Sequence, residues 1–216
     1  MIFPVFFPSL VNSERSSYSD PVIPYLLSVL QMKKQYITAD QLLADSFELA
    51  FRILDSGFRP SLVAGIWRGG TPVAISVQEV LEYAGVTSDH IAIRTSSYTG
   101  IGEHTTVKVY GLEYLESHLS SGDKLLLVDD VFDTGLSIEG VVRELDERFN
   151  KSPPEIRVAT PYFKPGNNKT DRVPDYYLHE AEEWLVFPHE IIGLNETEIS
   201  DNKPLPAAVK KRLLSL

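Results

Sequence analysis

The sequence predicts an α/β protein built around a mostly parallel sheet. Helical and strand-like periodicities alternate along the chain from Thr38 onwards, and the segments 62–66 and 124–128 are short, nearly continuous apolar runs. Such runs are typical of parallel strands that helices cover on both faces. A content of 43% hydrophobic and 23% charged residues fits one globular domain of ordinary size.

The first helix is expected to begin at Thr38 and to end at Gly57. Thr38 and Gln41 have the spacing of a capping box, and glycine is a common helix stop. The buried face is predicted from the helical spacing to be Leu43, Phe47, Ala50, Phe51 and Leu54.

A second helix and a polar stretch follow the strand at 62–66. Thr71 is expected to cap this helix, with Pro72 at its first position. A strand at 91–94 then leads to the segment 95–106, which is polar and contains Gly100 and Gly102. We predict a mobile loop there, followed by a short strand at 107–110.

The second half repeats the order of strand, turn and helix. The strand at 124–128 runs into the turn 129–137, and a helix with an apolar face follows it. This order builds ligand sites at the carboxyl edge of an open α/β sheet. A strand at 156–163 and apolar stretches around 176–178 and 184–187 complete the core, and the segment 196–216 is expected to be helical.

Charge and composition exclude several classes of protein. The chain has 30 acidic and 20 basic residues, a net charge of −10, so a nucleic-acid partner is not expected. It has no cysteine, which excludes disulfides and thiolate chemistry. Residues 1–31 contain apolar patches that prolines interrupt and that are too short to span a membrane. We expect a cytoplasmic protein without a membrane partner, in which residues 1–31 are an extension of unknown role.

The segment from Asp133 to Ser137 has the composition of a phosphate-binding turn. A glycine-containing turn that opens a helix presents free backbone N–H groups and the positive end of the helix dipole. Thr134 and Ser137 add hydroxyl donors. The alternative is an ordinary capped turn without a ligand, because Asp, Thr and Ser are common capping residues.

Two adjacent carboxylates, Asp129 and Asp130, lie directly upstream. They repel each other in a partly dry site unless hydroxyls, a cation or basic groups compensate them. A ribose diol beside a phosphate would do so, which favours ribose 5-phosphate as a ligand. A metal-only or receiver-type acidic pocket is the alternative.

The segment 125–137, LLLVDDVFDTGLS, resembles the phosphoribosyl pyrophosphate (PRPP) signature of type I phosphoribosyltransferases. The sequence Trp-Arg-Gly-Gly at 67–70 resembles the pyrophosphate loop of that family. The segments 159–166 and 184–188 are similar to the base-binding part of bacterial xanthine-guanine and related purine enzymes. The resemblance covers about residues 36–193.

The resemblance implies a three-layer type I fold with a central, mostly parallel sheet between helices. A small C-terminal hood, at about 160–195 within a domain spanning 32–195, would bind the base. The resemblance implies these PRPP-binding residues: Arg68, Gly69, Gly70, Asp129, Asp130, Asp133, Thr134, Gly135, Leu136 and Ser137.

The resemblance also implies individual roles. Asp129 and Asp130 would hold the ribose hydroxyls directly or through Mg2+, which makes them the candidate metal ligands. Asp133 would be the catalytic base. Ser97 and Tyr98 would belong to a flexible loop that closes over the substrate.

Three residues are implied to bind the base. Lys164 would donate to the purine 6-oxygen, Trp184 would stack on the ring, and Leu185 would complete the site. The alternatives are a surface charge for Lys164, a core position for Trp184 and a solvated loop cation for Arg68.

The implied activity is transfer of 5-phosphoribosyl from PRPP to hypoxanthine, guanine or xanthine with release of pyrophosphate, as in purine salvage. Mg2+ would be the cofactor, and the protein would be a homo-oligomer, either a dimer or a tetramer. The alternative is a nucleotide-sensing regulatory protein of the same fold, as some relatives bind RNA. The net charge of −10 argues against the RNA-facing surface that this alternative requires. Leu136, Phe187 and His189 depart from the family pattern and leave the choice of base open.

Overall fold

The computed structural model of the protein describes residues 33–99, 105–150 and 152–216. The elements in chain order are β1 (Lys34–Tyr36), α1 (Ala39–Asp55), β2 (Leu62–Trp67), α2 (Gly70–Tyr83), β3 (Asp89–Thr99), β4 (Thr105–Tyr110), α3 (Leu112–His118), β5 (Lys124–Val128), β6 (Val131–Phe132), α4 (Leu136–Arg148), β7 (Glu155–Phe163), β8 (Tyr176–Glu180), β9 (Trp184–Val186), α5 (Glu196–Asn202) and α6 (Ala207–Leu213). None of the helices in the described ranges combines the length and the apolar character needed to cross a bilayer.

Seven strands form the central sheet, in the order β4-β3-β2-β5-β7-β6, with β8 also paired to β7. All pairs are parallel except β3 with β4. One edge of β7 pairs with β8. The opposite edge of β7 pairs first with β5 and then with β6. The chain leaves the sheet between them, at Asp129 and Asp130. This break lies at the carboxyl edge, where the sequence predicts the ligand site.

Two hydrophobic cores lie on opposite faces of the sheet, which makes the protein three-layered as predicted. Leu126 and Val128 of β5 pack with α1 and α2 on one face. Leu125 and Leu127 pack with α3 and α4 on the other. All four side chains are fully buried, so the apolar run at 124–128 is explained by burial on both faces.

A second, two-stranded sheet joins strands from the two ends of the domain. β1 and β9 are parallel, and Lys34 pairs with Trp184 and Tyr36 with Val186. The backbone N–H of Ile37 extends the ladder by donating to the carbonyl of Val186. This sheet therefore carries the predicted base-binding strand and positions it against the start of α1.

The predicted buried face of α1 is wrong for three of its five residues, whereas Ala50 is buried and Leu54 packs against the core as predicted. Leu43, Phe47 and Phe51 are 40–50% exposed, and the side chains that enter the core are Leu42, Asp45, Ser46, Leu49, Ala50 and Ile53. The sequence did not indicate this face because it includes a charged residue, Asp45. Its carboxylate accepts hydrogen bonds from Gln41, Tyr162 and His179 at 2.8–3.1 Å, so the charge is compensated inside the core.

Two predicted boundaries also change. Helix α2 begins at Gly70 with Gly69 as its N-cap residue, so Thr71 does not cap it. The predicted loop at 95–106 is largely a β-hairpin, because the backbone pairs from Thr95↔Val109 to Thr99↔Thr105. Its threonine, serine and tyrosine residues suit an antiparallel ladder. The remainder of the predicted loop, residues 100–104, lies outside the described residues.

Candidate active site

The predicted carboxylates and the predicted pyrophosphate loop follow two neighbouring strands. Asp129 follows β5, and Arg68 follows β2. The two strands are parallel and paired, with Gly65 opposite Val128. Their carboxyl ends therefore lie side by side and bring the two segments together.

Gly69 and Gly70 allow the loop to press against the carboxylates. A Cβ atom on Gly69 would overlap the carboxylate of Asp130, and one on Gly70 would lie 2.6 Å from the Cα of Asp129. Neither residue has a left-handed backbone, so the need for glycine here is steric. The loop and the two aspartates form one site.

The aspartate pair carries an electrostatic cost. Asp130 is buried and Asp129 partly buried, and the N–H of Asp130 donates to Oδ1 of Asp129 at 3.0 Å. Burial raises the pKa of Asp129 to about 6 against this hydrogen bond. Burial also raises the pKa of Asp130, and the negative charges of Asp129 and Glu190 raise it further. A cation or hydroxyl donors placed here would relieve this cost.

The turn from Asp133 to Ser137 opens α4 as predicted. Gly135 is the N-cap residue, with φ of +75°. A Cβ atom on it would lie 2.7 Å from Oγ1 of Thr170 and 2.8 Å from the ring of Phe132. Thr134 is tied in place because its carbonyl accepts from the N–H of Lys169 at 3.0 Å. Leu136 and Ser137 form the first helical turn, where backbone N–H groups can face an anion.

Lys164 lies just beyond β7, opposite the turn. It is only 6% exposed, which excludes the alternative of a surface charge. Its Nζ is 3.9 Å from Oδ2 of Asp133, and Asn167 donates to Oδ1 of the same carboxylate at 2.9 Å. Asp133 is thus turned toward the lysine and not toward the N–H groups of the turn.

Two adjacent residues of β9, Trp184 and Leu185, face opposite ways. The side chain of Leu185 is 6% exposed and belongs to the core, whereas Trp184 is 44% exposed. The alternative that Trp184 is a core residue is therefore excluded. Leu185 could contact a ligand only through its main chain.

Ser97 and Tyr98 are strand residues in the structure. They lie in β3, paired with Val107 and Thr106 of β4. Their backbone is therefore paired in a hairpin and is not the mobile loop that the sequence predicts for 95–106, and a contact with the substrate stays a prediction.

Three residues that sequence reasoning did not assign also lie at this site. The imidazole Nε2 of His189 is 3.7 Å from Oδ2 of Asp130. Burial lowers the pKa of His189, and the nearby charge of Glu190 opposes that change. The buried Lys203 donates to the carbonyl of Phe187, two residues before this histidine. The fold alone brings them together, so no local sequence pattern could have found them.

The comparison with protein families gives a match to the phosphoribosyl transferase domain over residues 34–191. A xanthine-guanine phosphoribosyltransferase of Desulfotalea psychrophila is 34% identical over 162 residues, covering 73% of this chain and 88% of the relative. One from Cereibacter sphaeroides is 28% identical over 162 residues, covering 72% and 86%.

A solved structure, the purine phosphoribosyltransferase of Pyrococcus horikoshii, matches with a TM-score of 0.58 and 28% identity. The match covers 75% of this chain and 97% of that one. The matched segment of the family model contains the aspartate pair, the glycine loop, the turn at α4 and Trp184. The chain therefore belongs to the phosphoribosyltransferase family.

Proposed function

We propose that the protein is a purine phosphoribosyltransferase, which transfers the 5-phosphoribosyl group of PRPP to a 6-oxopurine and releases pyrophosphate. The names of the relatives support the purine class. The observation that carries the proposal is the contact of Gly69 and Gly70 with Asp129 and Asp130. This contact joins the proposed pyrophosphate loop to the carboxylate pair proposed to bind the ribose hydroxyls, and PRPP carries both groups.

The sugar phosphate is assigned to the strand and turn at 129–137. The carboxylates of Asp129 and Asp130 accept hydrogen bonds from the ribose hydroxyls. The backbone N–H groups and hydroxyls of Asp133 to Ser137 hold the 5-phosphate at the N-terminus of α4. The leaving pyrophosphate is held by Arg68 and by the main chain of Gly69 and Gly70.

Magnesium fits the donor set. Within the described ranges, no group of three or more His, Cys, Asp or Glu side chains is arranged to hold a metal by itself. Mg2+ commonly uses one or two carboxylates and completes its shell with substrate phosphates and water. Asp129 and Asp130 would supply these carboxylates, whose buried charges a cation would compensate. When bound, Mg2+ would neutralise charge on the departing pyrophosphate.

The base is assigned to the opposite side of the ribose. Trp184 stacks on the purine ring with its exposed face, and the ammonium of Lys164 donates to the 6-oxygen. Asp133 accepts the proton that the attacking imidazole nitrogen loses. Its position 3.9 Å from Lys164 allows the lysine to stabilise the carboxylate until that transfer. The reaction thus depends mainly on positioning and on charge neutralisation.

We propose that the protein acts as a homo-oligomer, either a dimer or a tetramer. Leu43, Phe47 and Phe51 are spaced four residues apart and form an exposed apolar stripe on α1. Two copies of such a stripe can pack antiparallel about a two-fold axis, because Phe47 then faces Phe47 and Leu43 faces Phe51.

The proposed function is tested by incubating the full chain with PRPP, Mg2+ and one of four bases: guanine, xanthine, hypoxanthine or adenine. Formation of a nucleoside monophosphate from at least one 6-oxopurine, with release of equal pyrophosphate, is the expected result. The control is the variant Asp129→Asn with Asp130→Asn, which should form no product. Transfer to adenine alone, or to none of the bases, would contradict the proposal.

A further inference from the structure

The C-terminal segment beyond the family match is attached to the candidate site. The match ends at residue 191, and α5 follows it. Glu198 of α5 forms an ion pair of 2.6 Å with Lys34 of β1, with side chains 21% and 11% exposed. Lys203, just after α5, donates to the carbonyl of Phe187 at 2.6 Å. The segment 196–203 is therefore attached to the two-stranded sheet at two points: to Lys34 in β1 and to Phe187, the residue that follows β9.

The contact of Lys203 is made to a tightly folded loop, residues 187–190. The carbonyl of Phe187 also accepts from the N–H of Glu190 at 3.0 Å, and the N–H of Phe187 donates to Oε2 of Glu190 at 3.1 Å. The ring of Phe187 is buried and stacks on the imidazole of His189, with centroids 5.9 Å apart and planes 10° apart. His189 in turn reaches Asp130 at 3.7 Å. The loop is thus a short physical link between Lys203 and Asp130.

A lysine at this buried position lowers stability unless its charge is compensated. Lys203 is 3% exposed, and burying an ammonium group costs free energy unless hydrogen bonds and opposite charge compensate it. The carbonyl of Phe187 and the nearby charge of Glu190 supply that compensation. An apolar side chain could fill the same space without this cost. What the lysine provides and an apolar side chain could not is the hydrogen bond to the Phe187 carbonyl, which fixes the loop in one arrangement.

We propose that Lys203 is a positioning residue for Asp130, the carboxylate that lies against the proposed pyrophosphate loop at Gly69. It fixes the loop 187–190, and through His189 it fixes the carboxylate of Asp130. The inference rests on the proposed function, which assigns Asp130 to ribose and Mg2+. It extends that site to a residue outside the family domain.

The test is calorimetric titration of the full chain with pyrophosphate in the presence of Mg2+. Lys203→Met should weaken binding of magnesium pyrophosphate by about tenfold, the lower range for residues that orient a metal ligand. The KM for the purine base should change less than the pyrophosphate affinity, because Lys203 donates to the loop and not to Lys164 or Trp184. The matched control is Lys210→Met. Lys210 also donates to a backbone carbonyl, that of Ser200, but in a solvent-exposed contact and with a less buried side chain than Lys203, so its removal should leave pyrophosphate binding unchanged.

A double-mutant cycle separates positioning from general stability. His189→Ala should cause a similar loss of pyrophosphate affinity, and the combination with Lys203→Met should lose no more than either change alone. Additive losses, or unchanged pyrophosphate affinity in Lys203→Met, would overturn the inference. If Lys203→Met does not fold, the test uses His189→Ala by itself. An unchanged affinity of that variant for magnesium pyrophosphate would overturn the inference. Failure of the unaltered protein to bind magnesium pyrophosphate would overturn the proposed function itself.

Discussion

The aspartate pair should make the substrate-free protein less stable than its inactive variant. Asp129→Asn with Asp130→Asn removes two carboxyls whose pKa values are raised by burial, and by mutual repulsion in the case of Asp130. Asparagine keeps the shape and the acceptor oxygen that the N–H of Asp130 uses. We therefore expect the variant to melt at a higher temperature while turnover falls at least about a hundredfold, because ribose positioning is lost.

The sign and size follow from the pKa of Asp129. A carboxyl whose folded pKa is about 6 instead of 3.8 keeps a proton that the unfolded chain releases. The free energy of unfolding therefore falls as pH rises from about 4 to about 6. Above pH 6 it stays at this lower value. At about 1.4 kcal/mol per pH unit, the loss is roughly 3 kcal/mol. For a chain of this size, that is about 6–12 °C in melting temperature.

The assay is thermal unfolding at pH 4.5 and at pH 8, with a chelator present. The variant's gain in melting temperature should be about a third of its full size at pH 4.5 and near its full size at pH 8, and saturating Mg2+ should reduce it. Asp123→Asn is the control, because hydrogen bonds from Ser120 lower the pKa of Asp123. That change should destabilise the protein at pH 8. An advantage that is the same at both pH values, or a variant that is less stable at pH 8, would refute the reasoning.

Three further predictions address the other parts of the site and the surface. Gly69→Ala places a methyl group on the carboxylate of Asp130 and should lower turnover about a hundredfold, whereas Gly122→Ala, which has no neighbour within 4 Å, should leave steady-state kinetics unchanged. Lys164→Met should lower the specificity constant for 6-oxopurines about ten- to a hundredfold, the value of a charge-assisted hydrogen bond. The pyrophosphate affinity measured by titration should stay normal. Loss of pyrophosphate affinity with unchanged use of the base would instead place Lys164 in the pyrophosphate site. Phe47→Glu should lower the molar mass measured by light scattering to that of one chain, and an unchanged mass would exclude the stripe as the interface.

The parts of the fold that depend on local pattern were predictable from the sequence. The apolar run at 124–128 is buried on both faces, and the turn after it opens a helix at the carboxyl edge of the sheet. These features are encoded within about 15 consecutive residues, so periodicity and turn composition suffice. The same holds for Thr38, whose hydroxyl accepts from the N–H of Gln41 as an N-cap should.

The parts that depend on distant contacts were not predictable in this way. Helix α1 has two apolar stripes, and only Tyr162 and His179, more than a hundred residues away, show that Asp45 belongs to the buried one. His189 meets Asp130, and Lys203 meets Phe187, through tertiary packing. No spacing rule relates these residues, because the loops between them can vary in length without changing the contact.

The pairing of β1 with β9 determines the order in which the halves of the site can form during synthesis. The strands meet across nearly the whole domain, and their flanking residues Lys33 and Glu183 form an ion pair 150 residues apart. A chain emerging from the ribosome can assemble β2, β5 and the turn at 133–137 before β9 has been synthesised. The strand that carries Trp184 must wait for the C-terminal part of the chain, and closing so long a loop is slow. A nascent chain should therefore acquire the proposed sugar-phosphate half of the pocket first and the proposed nucleobase half last.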